Sequence, residues 1–84
     1  MQNELNVKQA LAVFNQVCEK GDKRDGHYFY QDIEAWHDFD GYTCFLKFNQ
    51  VTLTLYFHGK YNLDYADNND LEGFMRKLAK VAQG

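Results

Sequence analysis

Four titratable side chains near the middle of the chain have the types needed for acid–base chemistry. Asp38 and Asp40 lie in one glycine-containing segment, and His58 and Lys60 lie in another. Both segments are predicted below to be turns at the same end of a sheet, where their charged groups would converge. Asp, Lys and Gly are also the usual residues of solvated turns, and no nucleophile with an adjacent base accompanies them. Turn formation is therefore the favoured interpretation, and an enzyme that uses this edge is an alternative.

Metal-ligating residue types occur together in two places. His37 and Cys44 are predicted to lie opposite each other on neighbouring strands, but a zinc site needs three or four protein ligands. Asp64, Asp67 and Asp70 lack the alternating oxygen ligands and the central glycine of a calcium loop. We therefore expect no metal site and no cofactor.

The two cysteines, Cys18 and Cys44, lie on the apolar faces of predicted elements, so we expect buried, reduced and unreactive thiols. Glu4 stands where a secretory signal would carry positive charge. No apolar run approaches the roughly 18 residues that a membrane span requires. These features predict a cytoplasmic protein that does not associate with membranes.

Two stretches have the three-four apolar spacing of an amphipathic helix, residues 7–18 and residues 71–82. Asn6 can cap the start of the first helix, and Gly21 suits a left-handed residue just past its end. Asn69 can cap the second helix. The intervening charged segment, residues 21–26, contains no apolar residue and is predicted to be a loop.

Residues 28–65 alternate apolar and polar side chains and are rich in the residue types typical of strands. Asp40 and Gly41 can adopt the positive φ of a two-residue hairpin turn, which fixes the register of the strands beside it. The pairs that this register predicts include Glu34 with Lys47 and Trp36 with Phe45. Further turns near Asn49 and Gly59 would complete four strands.

These elements predict an α+β fold in which residues 1–84 form one domain. An N-terminal helix, a four-stranded antiparallel meander and a C-terminal helix follow one another, with both helices on one face of the sheet. The inner face, which the helices would cover, consists of Ile33, Ala35, His37, Phe39, Tyr42, Cys44, Leu46, Phe48, Val51, Leu53, Leu55, Phe57, Tyr61 and Leu63.

The opposite face of the sheet, here called the outer face, has no helix left to cover it. It combines three aromatic residues with threonines: Trp36, Phe45 and Tyr56 with Thr43, Thr52 and Thr54. An exposed aromatic patch is typical of an interaction site. The alternative is that residues 28–30 fold over this face and hide it.

Composition favours a folded domain and disfavours nucleic-acid binding. Hydrophobic residues make up 45% of the chain, which is too many for a disordered segment. The net charge is −3 and the basic residues are scattered, so the phosphate contacts that dominate nucleic-acid affinity are not provided for. Single-stranded nucleic acid stacking on the outer face nevertheless remains an alternative, because aromatic side chains on a sheet can stack bases.

Two segments carry a resemblance to a known group of proteins: WHDFDGYTC, residues 36–44, and LTLYFHGKY, residues 53–61. With them, most of the chain resembles a family of short bacterial proteins of unknown function. The resemblance implies a bacterial cytoplasmic setting and carries over no activity, ligand or catalytic residue.

The function that these observations favour is non-enzymatic protein interaction. Trp36, Phe45 and Tyr56, with Thr43 and Thr54, are the predicted binding residues. The partner would be another protein or a second copy of this chain, bound at the outer face or at an open strand edge.

Overall fold

The computed structural model describes residues 5–56 and 59–83, which form two helices and one six-stranded sheet. The elements in chain order are α1 (Val7–Lys20), β1 (Asp22–Arg24), β2 (His27–Tyr30), β3 (Ile33–His37), β4 (Thr43–Phe48), β5 (Val51–Tyr56), β6 (Tyr61–Asp64) and α2 (Asn68–Gln83). Each strand pairs antiparallel with the next, so the sheet is a meander in the order β1 to β6. Neither helix of the described residues is long and apolar enough to cross a membrane.

The α+β class and the antiparallel meander are confirmed, but the predicted number of four strands is wrong. The segment predicted to be a loop contains β1 and its turn into β2. Asp25 and Gly26 adopt φ values of 53° and 82°, and Gln31 and Asp32 adopt 49° and 69°. Each pair therefore forms a two-residue turn between consecutive antiparallel strands. Residues 28–30 consequently extend the sheet as β2, paired edge to edge with β3, and do not fold over its outer face.

The predicted register between β3 and β4 is confirmed: Glu34 lies opposite Lys47, and Trp36 lies opposite Phe45. The turn that joins these strands differs from the prediction. Asp38 pairs with Thr43 through a backbone hydrogen bond of 3.0 Å from its N–H, so the connection is four residues long. The strand alternation therefore sets the register, and a different turn accommodates it.

One core cluster contains buried side chains from both helices and from β3, β4 and β5. Its buried strand residues are Ile33, Ala35, Leu46, Val51, Leu53 and Leu55, all of which were predicted on the inner face. The placement of both helices against the same face stays a prediction.

Four residues predicted on the inner face are exposed. His37 ends β3, while Phe39 and Tyr42 lie in the connection before β4 and expose 104% and 63% of their surface. Tyr61 begins β6 at the edge of the sheet and is 39% exposed. These positions lie at the end or edge of the sheet, beyond the buried cluster. Phe57, predicted on the same face, lies outside the described residues.

Of the three residues predicted to cap the helices, Asn6 has the predicted role and the other two differ from the prediction. The side chain of Asn6 accepts a hydrogen bond from the backbone N–H of residue 9 at 3.1 Å, as expected of an N-cap. Gly21 is not left-handed but extended, with φ −83° and ψ 170°. A Cβ on Gly21 would lie 2.6 Å from the carbonyl oxygen of Phe29, so the close approach of α1 to β2 requires glycine here. The predicted cap of α2, Asn69, lies inside the helix, and Asp67 accepts the hydrogen bond at its start.

Candidate functional site

Three aromatic rings stack in a row across the outer face of the sheet, and we call His27, Trp36 and Phe45 the aromatic ladder. The ring centroids of His27 and Trp36 are 4.7 Å apart with an interplanar angle of 12°. Those of Trp36 and Phe45 are 5.0 Å apart with an angle of 9°. Because neighbouring strands lie about 4.8 Å apart, one ring from each of three adjacent strands is enough to build this stack.

The pairing of β2, β3 and β4 brings the three rings of the aromatic ladder together. Trp36 and Phe45 are direct partners across β3 and β4. Tyr28 pairs with Ala35, and one step along each strand brings His27 opposite Trp36. All three rings are half-buried, and Trp36 and Phe45 neither belong to the hydrophobic core cluster nor pack against it. The ladder is therefore a packed feature of the outer face, separate from the core.

The ionic contact beside the ladder was not predicted. Glu34 lies opposite Lys47 in the register, but its carboxylate Oε2 lies 2.5 Å from Nδ1 of His27. A carboxylate accepts hydrogen bonds, so Nδ1–H of His27 is the donor and the carboxylate orients the ring. Among residues 5–56 and 59–83 this is the one ion pair. Its side chains are 38% and 28% exposed, so we expect it to contribute little to stability.

The outer face continues beyond the ladder on both sides. On one side the guanidinium of Arg24 lies 5.5 Å from the ring centre of Phe29, which is itself 37% exposed. On the other side Thr54 lies opposite Phe45, and Tyr56 lies opposite Thr43. The five predicted binding residues therefore share one face, and Trp36 and Phe45 among them form a ring stack.

Sequence reasoning missed His27, Arg24 and Phe29 because it did not identify β1 and β2. Knowledge of β2 would be enough to place these residues, because Phe29 pairs with Glu34 and lies on the same face of the sheet. Side chains alternate along a strand, so His27 must lie on that same face. The predicted site was incomplete because β1 and β2 were not predicted, and no sequence motif was overlooked.

The stacking geometry bears on what the outer face can bind. Trp36 has His27 against one face of its ring and Phe45 against the other. A nucleic-acid base stacks on a free aromatic face, and Trp36 offers none. Thr54 lies opposite Phe45 on the next strand, beside this stack.

The alternative edge is not assembled into a catalytic site in the described residues. Oδ1 of Asp38 accepts hydrogen bonds from the backbone N–H groups of Gly41 at 2.9 Å and Thr43 at 3.3 Å, which is a structural role in the turn. Asp40 and Lys60 are exposed. His58, the fourth predicted member, lies outside the described residues.

The predicted metal candidates do not gather further ligands. His37 lies opposite Cys44 in the register, but Nδ1 of His37 contacts the backbone oxygen of Asp38 at 3.0 Å. Within the described part of the chain, no three His, Cys, Asp or Glu residues are grouped in a way that could hold a metal ion.

Both thiols are half-buried, although full burial was predicted. Burial raises the pKa of the Cys18 thiol, and the nearby Cys44 raises it further. Burial also raises the pKa of the Cys44 thiol, with a smaller contribution from the charge of Asp38. A reactive cysteine needs a lowered pKa, so both groups are in environments that favour the inert, protonated form.

A small apolar cavity lies between the start of α1 and the ends of β4 and β5. Its volume is about 230 Å³, and its lining includes Val7, Leu11, Cys44 and Leu55. Sites for small molecules are usually about 300–1,000 Å³ and contain a few converging polar groups. The cavity is below that size and its lining is mostly apolar, so the outer face is the stronger candidate site.

Comparison with known proteins gives a family but no activity. Searches of curated proteins and of solved structures returned no match. The family model named DUF3081, a protein of unknown function, matches residues 5–84, which is nearly the whole chain. The chain therefore belongs to the DUF3081 family.

Proposed function

We propose that this protein is a non-enzymatic interaction module of the bacterial cytoplasm that binds another protein through the outer face of its sheet. The binding residues are Trp36, Phe45 and Tyr56, with Thr43 and Thr54 beside them. The observation that carries the proposal is the aromatic ladder, since it consists of three stacked and partly exposed rings that do not belong to the core.

The composition of the outer face supports a protein partner. Aromatic residues and arginine are enriched at the centres of protein interfaces, where they contribute most of the binding energy. Arg24, Glu34 and Lys47 surround the rings with charges of both signs. A mixed rim of this kind complements a protein surface, whereas a phosphate backbone requires positive charge. With both helices on the inner face, the whole outer face would be accessible.

The residues best able to perform chemistry do not favour an enzyme. Asp38 is engaged by backbone N–H groups of its own turn, and both cysteines are in environments that raise their pKa. The cavity beside the start of α1 is small and apolar. We therefore propose binding without catalysis, metal or cofactor.

Site-specific photo-crosslinking in bacterial cells tests this proposal. A photoreactive amino acid replaces Thr54, which lies opposite Phe45 on the outer face. The matched control carries it at Ala12, an exposed position of α1. We expect a discrete protein adduct from position 54, none from position 12, and loss of the adduct when Trp36→Ala is added.

The proposal is wrong if position 54 gives no protein adduct, or if position 12 gives the same adduct in the same yield. An adduct that disappears after nuclease treatment would instead support the nucleic-acid alternative. Circular dichroism of each variant establishes that the fold is retained, so that loss of the adduct reports on the surface.

A further inference from the structure

The two edges of the sheet differ in their capacity to pair with another strand. The first edge is β1, which has three residues, all of them charged and exposed. Short, charged edge strands resist pairing with other chains. The other edge is β6, whose sequence is Tyr61, Asn62, Leu63 and Asp64. It contains one charge, and Tyr61 and the following Tyr65 are 39% and 40% exposed.

The register determines which backbone groups of β6 point outward. The N–H of Tyr56 donates to the carbonyl of Lys60 at 2.8 Å and closes the hairpin between β5 and β6. Hydrogen-bonded pairs alternate along an antiparallel ladder, so Thr54 with Asn62 is the next such pair along β6. The intervening residues of β6, and Tyr65 just after it, therefore direct their N–H and C=O groups towards the open edge.

We propose that a second copy of this chain binds at this edge, with the two β6 strands antiparallel and Leu63 on the two-fold axis. Leu63 then lies opposite its own symmetry mate, and Tyr61 lies opposite the partner's Tyr65. The interface is self-complementary, as a two-fold dimer requires. On the other face of the joined strands, Asn62 lies opposite Asp64 of the partner subunit.

Charge disfavours one neighbouring register, and the number of hydrogen-bonded pairs disfavours the other. A two-fold axis at Asp64 would bring two carboxylates directly opposite each other, which is unfavourable. An axis at Asn62 would pair Tyr61 only with the partner's Leu63 and would leave Tyr65 outside the ladder. An axis at Leu63 lets Tyr61, Leu63 and Tyr65 all form hydrogen-bonded pairs, each of which exchanges two bonds.

The dimer has a consequence for the outer face but does not depend on its proposed function. Strands that pair across a perpendicular two-fold axis continue one sheet, so both outer faces lie on the same side. Two aromatic ladders would then be displayed together, and a partner with two binding segments would gain affinity from the second contact. The inner faces of the two copies would also be continuous.

Light scattering and sedimentation across a concentration series test the edge pairing on the intact chain. The monomer mass is 9.9 kDa, and we expect the mass to approach twice this value as concentration rises. Tyr61→Pro removes an N–H at the open edge and should abolish the dimer. Lys23→Pro makes the same change in the middle of β1, at the opposite edge, and should leave the dimer intact.

A charge substitution tests the register itself. Asn62→Asp places like charges opposite each other at two symmetric positions and should weaken the dimer roughly 2- to 30-fold. Asn62→Lys should strengthen the dimer, because the introduced ammonium group would lie opposite Asp64 of the partner subunit, and added salt should reduce this gain in affinity.

Four results would overturn the edge proposal: a chain that stays monomeric, a dimer unaffected by Tyr61→Pro, a dimer lost equally with Lys23→Pro, or a dimer abolished by Trp36→Ala. Trp36→Ala separates the two proposals. If Trp36→Ala abolishes the dimer, the second copy binds at the outer face and the edge proposal is wrong. If it leaves the dimer intact but removes the adduct of the crosslinking experiment, both proposals stand.

Discussion

Truncation of the central ring of the aromatic ladder should destabilise the protein less than truncation of an aromatic ring in the core. Trp36→Ala removes the ring stacked between His27 and Phe45. The comparison is Phe74→Ala, because Phe74 lies in α2 with none of its surface exposed. Both substitutions delete an aromatic ring, so the difference between them reports on the environment of each ring.

The structure sets the expected magnitudes. An aromatic pair contributes about 0.5–1.5 kcal/mol beyond its buried area, so the two stacks alone account for about 1–3 kcal/mol of the unfolding free energy lost in Trp36→Ala. The partly exposed ring adds to this a smaller loss of buried area than a fully buried ring would. Deletion of a buried aromatic ring costs about 3–5 kcal/mol, which is the expectation for Phe74→Ala. A domain of this length has a total stability of about 4–13 kcal/mol, so the second variant is the one that approaches unfolding.

Urea and thermal unfolding followed by far-UV circular dichroism provide the measurement. Fluorescence is unsuitable because Trp36 is the only tryptophan and one variant lacks it. At about 4–8 °C per kcal/mol for a domain of this size, the two variants should be separated by several degrees. If Trp36→Ala lowers the stability as much as Phe74→Ala does, the ladder is a second core and its interpretation as an accessible surface is wrong.

Three further predictions concern packing and titration. Gly21→Ala should destabilise the protein by about 1–3 kcal/mol, because its Cβ would lie 2.5–2.6 Å from two backbone oxygens; an unchanged urea midpoint would contradict this contact. Gly73→Ala should stabilise it by about 0.5–1 kcal/mol in the same assay, because no atom beyond the chain neighbours and the adjacent helix backbone lies within 4 Å of the added Cβ, and a loss of stability would refute that assignment. The thiols Cys18 and Cys44 have raised pKa values, so the native state holds their protons to higher pH than the unfolded state does. Unfolding free energy should therefore fall as pH rises above the usual thiol pKa of about 8.5, and the double Cys→Ala variant should lose this part of the pH dependence.

The strand register was predictable where alternation continued through several strands. Trp36 and Phe45 were assigned to one face from the predicted turn at Asp40 and Gly41, and the recurrence of buried residues such as Leu46 and Leu53 at every second position favours the same register. A shift by one residue would have exposed that whole set, so the hydrophobic pattern determines the register strongly. The predicted strand pairs are therefore correct, although the turn between Asp38 and Thr43 differs from the predicted one.

The first two strands were not predictable by the same reasoning. All three residues of β1 are exposed and charged, so the strand has no apolar alternation. The turn at Gln31 and Asp32 has positive φ at both residues without a glycine, which sequence preference disfavours. Tertiary pairing with β3 outweighs these local preferences. As a result, the sequence could not indicate that His27 completes the aromatic ladder.

The role of Gly21 illustrates a different limit. A glycine after a helix usually indicates a left-handed residue, and that was the prediction. Here the backbone is extended, and glycine is required by the carbonyl of Phe29 on the neighbouring strand. This contact depends on where β2 lies in the fold, and the residues around Gly21 do not determine that position.

Fluorine NMR of the single tryptophan is the most direct test of the proposed binding surface. The chain labelled with 5-fluorotryptophan gives one resonance, because Trp36 is the only tryptophan, and that resonance reports from the centre of the aromatic ladder. In a bacterial lysate we expect the resonance to shift or broaden relative to buffer. Excess unlabelled protein should restore it by competition, whereas the unlabelled Phe45→Ala variant should not. A resonance that is unchanged in the lysate, or that both competitors restore equally, would contradict the proposal that partners bind at the outer face.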